Sequence, residues 1–450
     1  MNAFGRSLKN VYSLLSKGEK ARAYEVLKNI GQSSTQELLD LANAYSQFET
    51  GYEKGRGLLL KAKETDSIIA ASASYRSIDF LYKVLEKQDV RIDSRIMTLA
   101  ANQDDLVKFN IGRALFLSAN YKRALRVLNN TKAEPLNEYL QYLRLSLIAA
   151  SYANGSKFLL AAETYQQIIF ETNREDYSEE KLLLAECYLQ ASEPELAIQS
   201  LDIDCNDVEQ EKRLFYLRGV GLHHLTRYQE AFIELKKSYL LYSKDAPYEL
   251  LLAIARLNID LQKPTEASEY YERTLATIPE HHKQQITHEY ARFLKDYEQY
   301  REASVLLKEL ANDMRYQHKI VAELDLAEIA FEMKDVQQAK IIVQRPYNQG
   351  LLGASILLAR IAMDSYDYDD AIVYLEQVLA TSEKASFEWL SAQVLLAEAF
   401  AKKKSINPDR LIMHAENALD YLQADDDWTM TLESYLEEAR AEARENRVVN

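Results

Sequence analysis

The amino-acid sequence predicts an all-α protein of about twelve antiparallel helix pairs stacked into a solenoid, with a capping helix at its C-terminal end. The first observation is composition. Only 12 glycines and 7 prolines occur among 450 residues, about 4 % together against about 12 % in an average protein, so the turns that a β-sheet needs are scarce. The second observation is a pattern of small residues that returns at intervals of 32 to 36 residues.

Each repeat is defined by two small residues 12 positions apart. Gly112 and Ala124 are the first clear example, with Tyr121 three positions before Ala124 and Leu128 four positions after it. Two helices approach closely only where both carry small side chains, so each pair predicts one crossing. A helix pair cannot bury its apolar face alone, so the pairs must stack. The same spacing recurs at Ala185/Ala197, Gly219/Ala231, Ala255/Ala267, Ala291/Ala303, Ala327/Ala339 and Ala359/Ala371.

Residues around each pair predict where the second helix begins. The position three before the second small residue is Tyr, Pro or Val, and proline in particular suits a first helical position. The large residue four positions after the small one is expected to pack into the neighbouring repeat. The predicted first residues are Tyr121, Pro194, Tyr228, Pro264, Tyr300, Val336 and Tyr368.

Both ends of the chain are less regular. Residues 8–30 and 36–63 each predict a helix pair, with Gly18 in the first turn, and residues 67–97 predict helix without the repeat spacing. An insertion over residues 402–408 delays the next second helix, for which Asn407 and Pro408 predict the N-cap and first position. Residues 428–447 predict a capping helix, whose polar outer face is formed by Glu437, Glu438, Arg440, Glu442, Arg444 and Glu445.

This pattern resembles the tetratricopeptide-repeat (TPR) superfamily, whose repeat is about 34 residues long. The resemblance covers most of the chain and is clearest over residues 106–380, although the tryptophan usual in the first helix is absent. It implies a right-handed superhelical solenoid. We therefore predict degenerate N-terminal pairs (1–105), a regular TPR-like array (106–380), and a divergent C-terminal repeat with the insertion and the capping helix (381–450).

The formal charge is −15, from 69 acidic and 54 basic residues, which argues against direct nucleic-acid binding because phosphates require a basic surface. The charge is unevenly spread, since residues 1–30 carry +4 and residues 420–450 carry −6. This asymmetry is consistent with solvated helix faces, with different partners at the two ends, or with head-to-tail self-association.

No catalytic or metal-binding motif is recognisable. The glycine-containing segment 51–57 lacks the Lys-Ser/Thr ending of a phosphate loop, and Cys187 and Cys205 are 18 positions apart, too far for a CxxC metal pair. The N-terminal residues lack the apolar core of a signal peptide, and no apolar run reaches the roughly 18 residues of a membrane span. We expect a cytoplasmic protein that is not an enzyme, without cofactor, metal or membrane span.

In the TPR family the first helix of each pair lines a concave groove, and this implies candidate partner-binding residues around each small residue. Arginine stands one position after the small residue in four of the seven clear repeats. These arginines are expected either to bind carboxylates of a partner or to bridge acids of adjacent repeats, such as Glu289 or Glu328. The candidate groove residues are Phe109, Arg113, Phe116, Tyr216, His223, Arg256, His288, Arg292, Lys295, Phe331 and Arg360.

The resemblance implies a non-catalytic scaffold or adaptor that binds an extended peptide or a helix of a protein partner in this groove, as a subunit of a multiprotein complex. A partner with acidic segments would match the arginines. Two alternatives remain: a peptide-sensing regulator whose superhelix changes pitch on binding, and a co-chaperone or secretion adaptor. Asparagine is absent from the groove positions with which chaperone-binding TPR proteins clamp a C-terminal carboxylate, which disfavours that clamp.

Overall fold

The computed structural model describes residues 3–32, 34–88, 90–92, 94–101, 104–132, 137–172, 174, 176–242, 245–403, 408–423 and 427–449. Within these residues the chain forms 25 α-helices, two short 3-10 turns at Glu49–Gly51 and Ser67–Ala71, and no β-strand. The all-α prediction is confirmed. The helices form two compact units, residues 1–263 and 264–450.

Among its described residues, the first unit contains fifteen helices. They are α1 Ala3–Ser16, α2 Lys20–Lys28, α3 Thr35–Tyr45, α4 Tyr52–Thr65, α5 Ala73–Leu85, α6 Ser94–Ala100, α7 Asp105–Leu117, α8 Tyr121–Asn129, α9 Glu138–Asn154, α10 Phe158–Glu171, α11 Ser178–Gln190, α12 Pro194–Ser200, α13 Val208–His224, α14 Tyr228–Tyr242 and α15 Tyr248–Asp260.

The second unit contains ten helices within its described residues. They are α16 Pro264–Thr277, α17 Glu280–Asp296, α18 Tyr300–Asn312, α19 Lys319–Glu332, α20 Val336–Asn348, α21 Leu352–Asp364, α22 Tyr368–Thr381, α23 Phe387–Lys402, α24 Pro408–Leu419 and α25 Asp427–Val449.

Inside each unit, consecutive helices pair and the pairs stack. Helix α13 packs on α14 and α19 packs on α20, while the second helix of one pair also packs on the first helix of the next, as α18 does on α19 and α22 on α23. The alternation is interrupted at α5, which packs against α3 and α7, while α6 also packs on α7. This irregularity falls in the segment where the sequence lacks the repeat spacing.

All seven predicted first residues of the second helices are confirmed: α8, α12, α14, α16, α18, α20 and α22 begin at the expected Tyr, Pro or Val. Two residues before each of these starts, the backbone is left-handed. In the turn after α17, Glu298 has φ of 59°, its N–H donates to the carbonyl of Lys295 at 3.0 Å, and the N–H of Gln299 donates to that of Leu294 at 2.8 Å. This is the Schellman arrangement that ends a helix sharply.

Small residues occupy the helix crossings as the repeat spacing predicts. Ala231, Ala303 and Ala371 are all fully buried. A Cβ atom placed on Gly112 would lie 2.6 Å from Leu128 Cδ2, and one on Gly219 would lie 2.5 Å from the corresponding atom of Leu235. The large residue one turn after the second small residue therefore packs on the glycine of its own pair. Tyr271, the equivalent residue of α16, stacks on Tyr290 of the next first helix, α17, with ring centroids 5.0 Å apart, as expected.

At the C-terminal end, α25 covers the last pair. Its Leu432, Leu436 and Ala439 are buried in the apolar cluster that they form with α23 and α24. Glu437, Glu438 and Arg440 are exposed, as a polar cap requires. Helix α24 begins at Pro408 as predicted, while its expected N-cap Asn407 and the side chains of Glu442, Arg444 and Glu445 lie outside the described residues.

Replacing Ala303 by Leu tests the crossings. Ala303 is fully buried where α18 meets its neighbours, so the larger side chain should overpack the contact and lower the free energy of unfolding by about 1–3 kcal/mol. Val305, two residues later, is 58 % exposed, and Val305→Leu is the matched control that should leave the denaturant midpoint unchanged. Equal midpoints for both variants would show that the crossings are assigned to the wrong residues.

Replacing Thr226 by Gly tests the turns. Thr226 adopts φ of 58° between α13 and α14, a conformation that costs a non-glycine residue roughly 1–2 kcal/mol. Because glycine itself loses about 0.5–1 kcal/mol through unfolded-state freedom, the variant should be more stable by about 0.5–1 kcal/mol. Gln166→Gly, at an exposed site inside α10, should instead destabilise by about 1 kcal/mol. Thermal unfolding of both variants measures these changes. A lower melting temperature for Thr226→Gly than for the parent would contradict the argument.

Candidate functional site

Helix α7 contributes to an apolar core that also contains residues from distant parts of the first unit. Helix α1 packs against α9, with the ring centroids of Tyr12 and Tyr139 6.3 Å apart. Phe109 of α7 belongs to the same apolar cluster and is fully buried. Phe109 therefore supports the core and presents no surface to a partner in this conformation. Phe116, two turns further along α7, is half-buried and packs edge-on against Tyr121.

Arg113 of α7 hydrogen-bonds the end of α3. Its two terminal nitrogens donate to the hydroxyl of Ser46 at 3.1 Å and to the Ser46 carbonyl at 2.9 Å. Burial of the guanidinium lowers the pKa of Arg113 from its ordinary value, and the electrostatic effect of nearby tyrosines, Tyr139 first among them, opposes this shift. Arg113 thus satisfies a carbonyl at the C-terminal end of α3 that would otherwise lack a partner.

The other candidates of the first unit lie on α13 and α15. Tyr216 is half-buried, and burial raises the pKa of its hydroxyl to about 12. His223 Nε2 lies 2.5 Å from Asp260 Oδ2, which ties the end of α13 to the end of α15. Arg256 is exposed on α15. These side chains are more accessible than Phe109, and they carry both charge and aromatic surface.

In the second unit, three candidate residues converge on one buried acid. Asp325 of α19 has a side chain only 5 % exposed. Its Oδ2 lies 2.7 Å from Nε2 of His288 and accepts a hydrogen bond from Nε of Arg292 at 2.9 Å. Its Oδ1 accepts from Nζ of Lys295 at 2.6 Å. The hydroxyl of Tyr316 completes the cluster, 2.6 Å from Nδ1 of His288. We call these five residues the Asp325 cluster.

The charges of this cluster stabilise one another. Burial alone would raise the pKa of Asp325, but the hydrogen bond from His288 and the positive charges of Lys295 and Arg292 outweigh it and hold the pKa well below its usual value. Burial likewise opposes the charged form of Lys295, yet Asp325 and Glu328, whose Oε2 lies 2.6 Å from Nζ, raise its pKa. The cluster therefore joins α17 to α19 through ionised groups.

Phe331 and Arg360 form a second contact between first helices. Phe331 of α19 is buried, and the guanidinium of Arg360 on α21 lies 5.0 Å from its ring centroid. Arg360 also donates to Glu332 at 2.7 Å. Two of the four candidate arginines, Arg292 and Arg360, thus contact acids of an adjacent repeat, which is one of the two roles expected from the sequence.

Sequence reasoning did not find Asp325, Tyr316 or Ser46. Asp325 stands two positions before Ala327, outside the three helix positions used to read the groove. A signal was present, because Asp325 is an acid between Leu324 and Leu326 in a mostly apolar run, and a buried charge in such a run requires partners. Tyr316 lies in the connection before α19, where the helix spacing gives no prediction.

In the described residues, no three or more His, Cys, Asp and Glu side chains are grouped in a way that could hold a metal ion. Cys187 is buried and Cys205 is half-buried, and both are free thiols. None of the helices in the described part of the chain combines the length and apolar character needed to cross a bilayer.

Replacing Asp325 by Asn tests the cluster. Loss of the buried carboxylate removes the acceptor that His288, Arg292 and Lys295 share, so the free energy of unfolding near neutral pH should fall by about 3 kcal/mol. Glu332→Gln removes the acid of a surface pair whose side chains are 40 % and 37 % exposed, so it should cost at most about 1 kcal/mol.

The pH dependence of the stability of Asp325→Asn follows from the direction in which the pKa of Asp325 is shifted in the parent protein. Because the pKa of Asp325 is lowered in the folded protein, its contribution is present above the unfolded value of about 3.9 and is lost as the pH falls below it. Between about pH 5 and pH 3 the parent should therefore lose more stability than Asp325→Asn. Parallel acid-induced losses in urea titrations of the two proteins would contradict this account.

No protein-family model matches the chain, and no curated protein matches it. Solved structures with a similar arrangement include one in the crystal structure of the APC/C hetero-tetramer Cut9–Hcn1 (14 % identity, 98 % of this chain and 96 % of that one, TM-score 0.41). Yeast Tom70 is similar at 14 % identity, with 98 % and 96 % coverage and a TM-score of 0.44. PilF of Pseudomonas aeruginosa is similar at 18 % identity, with 52 % and 99 % coverage and a TM-score of 0.37.

Sequence identities and TM-scores this low do not assign the chain to a family. The description of the fold therefore rests on the geometry of the chain itself. Helix pairs stack within both units, a small buried residue stands at each crossing, and the first-to-second helix turns contain a left-handed residue. These are the features of repeats of about 34 residues. Both units are therefore built from stacked antiparallel helix pairs, which is the arrangement that the sequence resemblance to TPR repeats implies.

Proposed function

We propose that this protein is a non-catalytic interaction scaffold, which binds an extended peptide or a helix of a protein partner along its first helices and acts as a subunit of a larger complex. The observation that carries the proposal is the state of Arg292. It is anchored from one side by a buried acid, while its side chain remains 50 % exposed.

The anchoring prepares Arg292 for binding. Its Nε donates to Asp325 at 2.9 Å, and within the described residues no other hydrogen bond or ion pair engages its terminal nitrogens. A guanidinium held in place by one edge loses less conformational entropy when it binds. The two terminal nitrogens of Arg292 can donate in parallel to the paired oxygens of a carboxylate.

The charges around Arg292 restrict what can bind. Lys295 is already engaged by Asp325 and Glu328, and Arg360 is engaged by Glu332. The first helices of the second unit therefore present a balanced surface and not a uniformly basic one. We propose that the ligand places one acidic side chain at Arg292 and otherwise offers apolar and uncharged groups.

The experiment begins with affinity purification, in which this chain is used to recover binding proteins from a lysate of the cells that produce it. Overlapping peptides of a recovered protein are then tested for binding. Arg292→Gln should weaken peptide binding about tenfold, since a charge-assisted contact worth roughly 1.5 kcal/mol or more is lost. Arg345→Gln is the matched control, because Arg345 of α20 is also about half exposed, at 54 %, and paired with an acid, Glu323, at 2.6 Å. Its variant should bind like the parent.

Melting of the same samples separates the two roles of Arg292. If Arg292 only bridges α17 and α19, Arg292→Gln will lower the melting temperature and leave peptide affinity unchanged, and that result rejects the proposal. Loss of affinity with little change in melting supports it. An effect of equal size from Arg345→Gln would show that net charge alone is responsible.

A further inference from the structure

Helix α25 has two opposite faces. Leu432, Leu436 and Ala439 are buried against the preceding pair, whereas Met430, Glu433 and Glu437 follow one another along the exposed side, Met430 at 77 % exposure. Arg440 is engaged by Glu416 of α24, but Glu433 and Glu437 make no ion pair within the described residues. The face therefore presents an apolar residue beside acids without counter-charges.

Helix α1 has the opposite character. Val11, Tyr12 and Leu15 are buried in the core of the first unit, and Arg6 and Lys9 are exposed on the other side of the helix. Neither of these two cations makes an ion pair within the described residues. Unbalanced positive charge thus lies on α1 and unbalanced negative charge on α25.

Two exposed cations of the neighbouring α2 have acids beside them. In α2, Arg22 pairs with Glu19, and Lys28 pairs with Glu25 at 2.5 Å. The acids of α25 and the cations of α1 have no such neighbours among the described residues. Like charges one turn apart on a helix repel by a few tenths of a kcal/mol, so each face gains from an opposite charge supplied from outside.

The two faces also match in spacing. Arg6 and Lys9 are three positions apart and Glu433 and Glu437 are four apart, which places each pair on adjacent turns about 5–6 Å apart. We propose that α25 of one molecule packs against α1 of a second copy of this chain, head to tail, with two ion pairs on the turns that follow the exposed Met430. Such a contact joins different surfaces, so it generates rings or open chains of molecules.

Sedimentation velocity of the full chain over a range of concentrations tests this contact. Species larger than the monomer should grow with concentration at about 0.1 M salt and diminish at about 1 M, where the Debye length falls from about 10 Å to about 3 Å. Arg6→Glu with Lys9→Glu, and separately Glu433→Lys with Glu437→Lys, should each weaken association at least about tenfold. The fourfold variant with both reversals should associate again, because the charges are exchanged.

Lys122→Glu with Lys340→Glu is the matched control. Both lysines are exposed on second helices, α8 and α20, and their reversal changes the net charge as much as reversal at α1, so association should be unchanged. All sites are exposed, and circular dichroism should show the same helicity throughout. A monomer at every concentration, or a fourfold variant that stays dissociated, overturns the proposal. Arg292 takes part in neither face, so this outcome is independent of the proposed peptide binding.

Discussion

The close approach of two helices at small side chains is the contact on which the rest of the structure depends. Gly112 and Gly219 leave no room for a Cβ atom because a leucine of the second helix fills that space, and alanines at the equivalent positions, such as Ala303, are fully buried. The spacing of 12 residues between them leaves room for one tight turn. That turn in turn requires a left-handed residue such as Glu298 or Thr226, because it must end one helix and start the next within three residues.

Stacking the pairs brings first helices of adjacent repeats side by side, and the charges on them are largely used within the protein. His288, Arg292 and Lys295 of α17 all reach Asp325 of α19, and Arg360 of α21 reaches Glu332. A buried acid with three donors is stable only if they stay in place, so the cluster fixes adjacent repeats relative to each other. The terminal nitrogens of Arg292, whose Nε is already bonded to Asp325, remain accessible to a partner.

The first helices differ in how accessible their faces are. In α7, Phe109 is part of an apolar core and Arg113 hydrogen-bonds Ser46 at the end of α3. In the second unit Arg292 remains half exposed. Arg113 and Arg292 stand at the same position of their repeats, so this position serves packing in one repeat and is accessible in another.

The sequence by itself determined the local features: the all-α class, the seven starts of second helices, the small residues at the crossings, Pro408 at the start of α24 and the polar face of α25. Each depends on residues within one repeat, so spacing reveals it. Tertiary structure alone decided that Arg113 hydrogen-bonds Ser46, because 67 residues of chain separate the two. It also decided that Asp325 collects three donors from α17, because burial and pairing of a charge depend on neighbours that no single helix contains.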